Sequence, residues 1–517
     1  MKQKRVPAPE APISRQLRIY LYFTAAITGA AIMVVEILGA KMLSPYVGLS
    51  HFVWIAQIAV TLVALSCGYY VGGRLADQAQ RLSRLYGAIL IAATYLAVTV
   101  LICEPVAYWA LDFSLPVGSL MASTILFFVP LALLAMTGPF LVRVITSSIV
   151  GLGGNVGRLT SIGTVGSFLG TLCIGYIMVP LLPNSVTMYC TAGALLVLCA
   201  GYYFAFHRKG VVPLLVGMLL TSAVGFGLKP SHQYNWVKKI YEANSHFGRL
   251  QVYDRLDGHG RFYLNDFLIQ NTYDTTSHRS ESAFTYLLAG MARAYTTNIH
   301  DVLCIGLGVG IVPMDFARRN INVDVVEINP AVVPVAARFF DCETNLIRLT
   351  LDDARHYLNC TRKKYDVVVL DAFLGDSSPS HLFTQQAFNS MRRALRPGGN
   401  LVINCFGDLE EGRDYFAASL NKTLKSVFKA VHLHTSSHGA VFFAASDRTD
   451  PGFAHTPDFA GIYPQVLPEV ESVFAGIADT PPDHGRVLTD DFNPVEFYDA
   501  RNREEFRRRF ALSAKNM

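Results

Sequence analysis

Charge is the scarce ingredient of this 517-residue chain: Asp, Glu, Lys and Arg together make up 16% of it, against 51% apolar residues. That shortage excludes an ordinary soluble protein, although the length allows two or three domains. Internal repeats and low-complexity segments are also lacking. The first apolar run has no small-residue cleavage pattern, is long, and is followed at once by further runs, so it does not read as a removable leader. Cysteine is sparse, at nine residues. Cys67, Cys103, Cys173, Cys190 and Cys199 lie in or at the edges of apolar runs and read as small apolar residues. Cys342 and Cys360 are the pair elsewhere whose spacing permits a bridge, but two unrelated thiols is the simpler reading, because geometry decides bridging.

The apolar excess sits before about residue 229. Seven segments there approach the roughly 20 residues that span a bilayer core: Ile19 to Leu38, Phe52 to Val71, Leu85 to Cys103, Val117 to Pro139, Leu159 to Leu182, Val186 to Phe206 and Val211 to Leu228. Basic residues alternate between their connections. Lys2, Lys4, Arg5, Arg15 and Arg18, then Arg74, Arg81 and Arg84, then Arg143 and Arg158, then Arg208 and Lys209 share one side, against Lys41 on the other. The positive-inside rule makes the first side cytoplasmic. Seven crossings would then leave the rest of the chain on the periplasmic or outer face of a bacterial-type plasma membrane, with the bilayer as a partner. Gly68 and Gly72, and Gly166 and Gly170, are spaced to let helices approach closely. Glu36 is an acid inside a span, with Lys41 as a candidate ion-pair partner; a structural pair and a transport role both fit.

After residue 229 the pattern changes, and four regions are expected: a multi-pass bundle over 1–229, a small β subdomain over 230–300, a nucleotide-binding domain over 301–446 and a partly irregular cover over 447–517. The runs LQVYD, RFYLN and FLIQ, broken by Asp257-Gly258 and Asn265-Asp266, predict an antiparallel hairpin sheet. From Asp301, strands alternate with helices (DVLCIG, VDVVEI, IRLTL, YDVVVLD and NLVINCF), which predicts an α/β doubly wound, Rossmann-like parallel sheet with its ligand crevice beyond the strand ends. The fold class expected is therefore an all-α transmembrane bundle followed by this α/β domain.

Gly306, Gly308 and Gly310 follow the first of these strands, where glycine lets the backbone turn and approach a ligand at a helix N-terminus. Glu327 ends the second strand, placed to accept two ribose hydroxyls. Asp352-Asp353-Ala354 ends the third, where an acid can accept from an adenine amino group; Asp353 is the choice and Asp352 a solvated neighbour. The alternatives are a helix-start acid for Glu327 and an N-cap for one aspartate. Asp371 ends the fourth strand, where an acid can deprotonate an ammonium group, which titrates near 10 and cannot attack before it loses a proton.

The stretch YDVVVLDAFLGDSSPSHLFTQQAFNSMRRALRPGG, Tyr365 to Gly399, resembles the aminopropyltransferases of the spermidine synthase family. The resemblance extends back through Asp353, Glu327 and the glycine loop to Ser245-His246-Phe247-Gly248 and Leu264 to Gln270. KMLSPYVG from Lys41 to Gly48, the Gly72 to Asp77 loop and LTDDFNPVE from Leu488 to Glu496 are similar to a branch that carries a fused membrane domain. The resemblance implies transfer of an aminopropyl group from decarboxylated S-adenosylmethionine to a polyamine, with no metal. Glu327 would hold the ribose, Asp353 and Ala354 the adenine, and Asp371 the attacking amine, with Gln270, Glu281 and Asp376 on the substrate side. Two departures stand out: Ser280 precedes Glu281 where the family has a second acid, and Asp376 lies five residues after Asp371, not three. A small-molecule polyamine is the expected partner, nucleic acid is not, and a homodimer is left open. A methyltransferase on the same fold and a non-catalytic polyamine or nucleoside sensor or transporter are the competing readings; a dinucleotide oxidoreductase lacks hydride-site residues.

Overall fold

The computed structural model describes residues 13–48, 51–78, 80–146, 152–207, 211–227, 236–265, 268–373, 379–435, 440–449, 452–477, 484–494 and 497. The chain divides into two units, Met1–His232 and Gln233–Met517.

All regular structure described in the first unit is helical: α1 (Arg15–Val47), α2 (His51–Gln78), α3 (Leu82–Ala110), α4 (Leu115–Ser123), α5 (Val129–Ala135), α6 (Thr137–Ile145), α7 (Leu152–Cys173), α8 (Val179–Leu181), α9 (Asn184–Phe206) and α10 (Val211–Gly227). Two π-helical turns, Thr124–Phe128 and Ile174–Met178, lead into α5 and α8, which carry Pro130 and Pro180 in their first turns. Proline lacks an N–H and its ring crowds the carbonyl one turn back, so the helix widens there without breaking. Among the described residues, six helices are long and apolar enough to cross a membrane: Arg15–Val47, Phe52–Gln78, Leu82–Ala110, Leu115–Ile145, Leu152–Leu181 and Asn184–Phe206. The seventh expected run is α10. Its 17 described residues reach about 25 Å, short of the ~30 Å hydrocarbon core; residues 208–210 and 228–235, which flank it, lie outside the described residues.

Small residues set how these helices pack. A Cβ on Gly166 would come within 2.1 Å of the Ala26 carbonyl, and one on Gly170 within 2.7 Å of Ala30 Cα, so α7 lies backbone to backbone on α1. Gly68 meets Ala132 and Gly72 meets Met136 in the same way. Close approach of backbones gains dispersion contact, the kind of packing that helices in a bilayer rely on. No ion pair joins Glu36 to Lys41 among the described residues.

The second unit begins with an antiparallel sheet in the order β1 (Val237–Ser245), β2 (Gly248–Arg255), β3 (Gly260–Asn265), β4 (Leu268–Asp274) and β5 (Arg279–Ser280). The amphipathic α11 (Ala283–Tyr295) follows, and then β6 (Asp301–Ile305), α12 (Ile311–Ala317), β7 (Asn322–Glu327), α13 (Val332–Phe339), β8 (Arg348–Leu351), α14 (Ala354–Cys360), β9 (Tyr365–Leu370), α15 (Gln385–Ala394), β10 (Leu395–Phe406), α16 (Tyr415–Lys425), β11 (Ala430–Thr435), β12 (Ala440–Ser446) and α17 (Leu467–Ala475). The larger sheet has the order β11-β12-β10-β9-β6-β7-β8. Its β8 to β10 portion is parallel, as expected, whereas β12 pairs antiparallel with both β10 and β11. The connection between β11 and β12 is too short for a crossover, so the pair must run antiparallel.

Both faces of this sheet are buried. Val302 and Cys304 of β6 face one core with Val367, Val369 and Val402, while Leu303 and Ile305 face the other with Val368, Leu370 and Ile403. Strand side chains alternate between faces, so continuous apolar runs are what a doubly covered parallel sheet requires. Each such side chain contributes about 1.5–3 kcal/mol of burial. The sequence wraps outward from β6 in both directions, to β7 and β8 on one side and β9 and β10 on the other, which opens a crevice beyond the carboxyl ends of β6 and β9.

Candidate functional site

A cavity of about 330 Å³ occupies that crevice. Gly306, Gly308, Glu327, Asp352, Asp353, Ala354 and Asp371 line it from the strand ends, and Phe247, Tyr263, Asn265, Gln270, Asn271, Ser282 and Phe284 line it from the hairpin sheet and the start of α11. Gly310 and Glu281 are not in its wall. Asp376 lies outside the described residues.

Gly306 leaves β6 with φ +98°, and a Cβ there would stand 2.3 Å from the Asp371 carbonyl oxygen. The turn and the acid are therefore built against each other, and only glycine satisfies both the conformation and the contact. Gly310, at φ +87°, starts α12, and a Cβ on it would meet Cys342 Sγ at 2.5 Å, so its role is to shape the loop from behind. Cys342 and Cys360 are free thiols; the first is buried and the second exposed.

Glu327 is not a helix-start acid, since the residue capping α13 is Ala331. Its Oε2 accepts from the Leu307 backbone N–H at 2.8 Å and its Oε1 from the Asn329 N–H at 2.7 Å. The carboxylate thus ties the glycine loop to the end of β7 and keeps lone pairs for a hydroxylated ligand. Burial pushes its carboxyl above the ordinary carboxylate range, against the pull of the backbone donors.

Asp353 is the N-cap of α14: its Oδ1 accepts from the N–H groups of Arg355 and His356, and His381 Nε2 lies 3.1 Å from its Oδ2. The capping alternative therefore applies to Asp353, the residue expected at an adenine, and one carboxylate oxygen remains to face the cavity. Asp352 accepts the Asp353 N–H on Oδ1 and faces His356 Nδ1 across 2.6 Å on Oδ2.

Asp371 receives one side-chain hydrogen bond, from Asn404 Nδ2 to its Oδ1 at 2.9 Å. Loss of water around it pushes its carboxyl up to about 6, with the Asn404 donor pulling the other way. Its Oδ2 has no side-chain partner among the described residues. Asn404 also lines the cavity and was missed from sequence. The sequence carries only a trace of it, a polar residue inside the apolar run NLVINCF; the parallel register, which sets Ile403 beside Leu370, is what places that residue next to Asp371.

The hairpin side carries no carboxylate among the described lining residues. Glu281, expected to face the substrate, instead meets Tyr463 Oη at 3.3 Å and Arg255 at 3.8 Å. The arginine and the tyrosine hydroxyl engage the carboxylate away from the wall, and its neighbour Ser282 takes the place in the lining. Asn265 is buried with its Oδ1 unpartnered. An unmet acceptor in a cavity wall costs about 1–3 kcal/mol and suits a ligand N–H. Four carboxylates, Glu327, Asp352, Asp353 and Asp371, face a cavity whose other described walls are neutral apart from His381. Such a field favours a cation.

Residues 281–437 match the spermine/spermidine synthase domain. A probable polyamine aminopropyl transferase of Bifidobacterium longum is 28% identical over 191 residues, 36% of this chain and 42% of that protein. An N-terminal histidine N-methyltransferase of Emericella nidulans is 30% identical over 216 residues, 37% of this chain and 38% of that one. Both matches thus span less than half of the relative's own length. The crystal structure of spermidine synthase from Thermotoga maritima superposes with a TM-score of 0.38 at 18% identity, covering 47% of this chain and 85% of that one.

Proposed function

With a spermine/spermidine synthase domain over residues 281–437 as the premise, we propose that the protein is a membrane-anchored transferase that moves an aminopropyl group from decarboxylated S-adenosylmethionine to a polyamine, releasing methylthioadenosine. The observation that carries this reading is Asp371: a carboxyl raised to about 6, held on one oxygen by Asn404 and open to the cavity.

In this reading Glu327 holds the ribose and Asp353 the adenine amino group, through a lone pair of Oδ2 beside its His381 contact, with Ala354 beneath the ring. The glycine loop brings backbone close to the nucleoside. Asp371 takes the proton from the acceptor ammonium, and the freed nitrogen lone pair forms a bond to the carbon next to the sulfonium as the C–S bond breaks and its electrons return to sulfur. A raised carboxyl is a better proton acceptor than an exposed one and is still ionised at neutral pH. Much of the acceleration comes from alignment, because the sulfonium is already a good leaving group. Gln270 and the unpartnered Asn265 Oδ1 would meet the distal part of the amine.

A second reading, methyl transfer, is favoured by the likeness to the histidine N-methyltransferase. Intact S-adenosylmethionine carries an additional carboxylate, which a cavity faced by four acids disfavours. The two separate when the full-length protein in detergent is given each cofactor with a polyamine and the products are weighed by mass spectrometry. An aminopropyl adduct formed only from the decarboxylated cofactor supports the proposal, a methyl adduct replaces it, and binding without any product reduces the site to a sensor.

A further inference from the structure

One cluster of nucleophilic and titratable groups runs along α14 from Asp352, at the cavity wall, to the exposed Cys360. Residues four apart on a helix share a face, and Asp352, His356 and Cys360 follow that spacing. The His356 ring stands between the other two, with Nδ1 2.6 Å from Asp352 Oδ2 and Nε2 3.6 Å from Cys360 Sγ. The carboxylate is itself fixed, because its other oxygen accepts the Asp353 N–H at 2.8 Å. Carboxylate, imidazole and thiol are thus in series, and the thiol end is open: Cys360 is exposed, and so is the His356 side chain, at 67%.

No other cysteine of the chain is placed in this way. Cys67, Cys103, Cys173, Cys190 and Cys199 belong to the apolar helices, and Cys304, Cys342 and Cys405 are buried. Burial pushes the Cys342 thiol up to about 11, which keeps it protonated and inert. The hydrogen bond to Asp352 holds His356 above the ordinary imidazole range, and the same bond holds Asp352 below the usual carboxylate range. In its neutral form, with the proton on Nδ1, the ring presents a lone pair to the thiol. That is the arrangement of a general base beside a nucleophile, with a third group orienting the base.

We propose that Cys360 is a reactive thiol, with His356 as its base and Asp352 as the group that orients His356, and that it is a site of exchange with small disulfides. The Cys360 proton passes to His356 Nε2 as Sγ attacks one sulfur of the disulfide. A new S–S bond forms to that sulfur and the old one breaks. The departing thiolate then takes the proton from His356, leaving a mixed disulfide on Cys360 and one free thiol. The incoming disulfide is the oxidant, and no other reagent is needed. The assignment does not rest on the reaction proposed for the cavity, and Asp352 is the one residue the two sites share.

The test is time-resolved mass mapping of the full-length protein in detergent after mixing with dipyridyl disulfide or oxidised glutathione. Cys360 should carry the first adduct, and His356→Ala should slow its modification by roughly tenfold or more while leaving the rates at Cys67 and Cys190 unchanged. Asp352→Asn should slow it by a smaller factor. If His356→Ala speeds modification of every cysteine, the fold has been disturbed and His356→Asn, closer in size and still polar, is read instead. A Cys360 rate unchanged in whichever histidine variant keeps the other cysteines at wild-type rates, or a first adduct on another cysteine, overturns the proposal.

Discussion

In the proposed reaction Asp371 and Asn404 form the pair on which the chemistry would turn, and they can be tested separately. Asp371→Asn keeps the shape and loses the base, so the turnover rate should fall by about 10²–10⁴, while methylthioadenosine binding, followed by calorimetry, stays near wild type. Equal loss of binding and turnover would argue that Asp371 holds the ligand and does not move a proton. The pH profile provides a second handle. A carboxyl raised to about 6 is a working base above that pH and is neutralised below it, so kcat/KM should decline as pH falls through about 6. Asn404 donates to the ionised carboxylate, so Asn404→Leu should move this acidic limb to higher pH; an unmoved limb would mean that the limb belongs to another group. Asp371 was readable from its position at a strand end. Asn404 was not, because its importance comes from a neighbour 33 residues away in sequence that only the sheet register brings alongside.

At the scale of elements, the ends of β6, β7, β8 and β9 carry the site, and the short helix α14 shows how structural and ligand roles overlap. Asp353 caps that helix, and loss of the cap costs about 1 kcal/mol, whereas asparagine caps as well as aspartate does. Asp353→Asn should therefore leave the thermal midpoint unchanged while weakening methylthioadenosine binding, and Asp353→Ala should lower both. If asparagine binds as well as the wild type, the residue is a cap alone. Gly306→Ala should be more damaging: φ +98° and a carbonyl 2.3 Å from the new methyl demand movement of the Asp371 strand end, a cost of about 1–3 kcal/mol from backbone strain before the collision is counted. A melting curve of the purified protein that matches wild type would refute that coupling. The strand and helix pattern was legible because buried strands and amphipathic helices differ in period. Glu281 shows the limit of such reading: its place in the chain suits the cavity, but an arginine and a tyrosine from distant segments turn the carboxylate elsewhere.

For the whole molecule, the open quantity is the number of crossings. Six described helices are of full membrane length, and α10 is a shorter seventh. A reporter that functions on only one side of the membrane, fused after Met517, distinguishes the counts: with α10 spanning, the fusion should be active on the side opposite the N-terminus, and activity on the same side as the N-terminus would leave α10 out of the crossing set. For the proposed reaction, the answer decides whether a cytosolic cofactor reaches the site directly or has to be delivered.

Sequence by itself determined the division into an apolar helical half and an α/β half, the order of strands and helices, and the identity of the acids at successive strand ends. Those follow from local rules: the length of apolar runs, the two-residue and 3.6-residue periods, and the turn chemistry of glycine. Only the tertiary structure decided which acids face the cavity and which are occupied elsewhere, and that Asn404 supports Asp371. It also decided that Cys342 and Cys360 stay apart, and that Asp352, His356 and Cys360 fall into a line. Each of these depends on distances between side chains, and those are set by sheet register, helix capping and competition among neighbours, which no local pattern encodes.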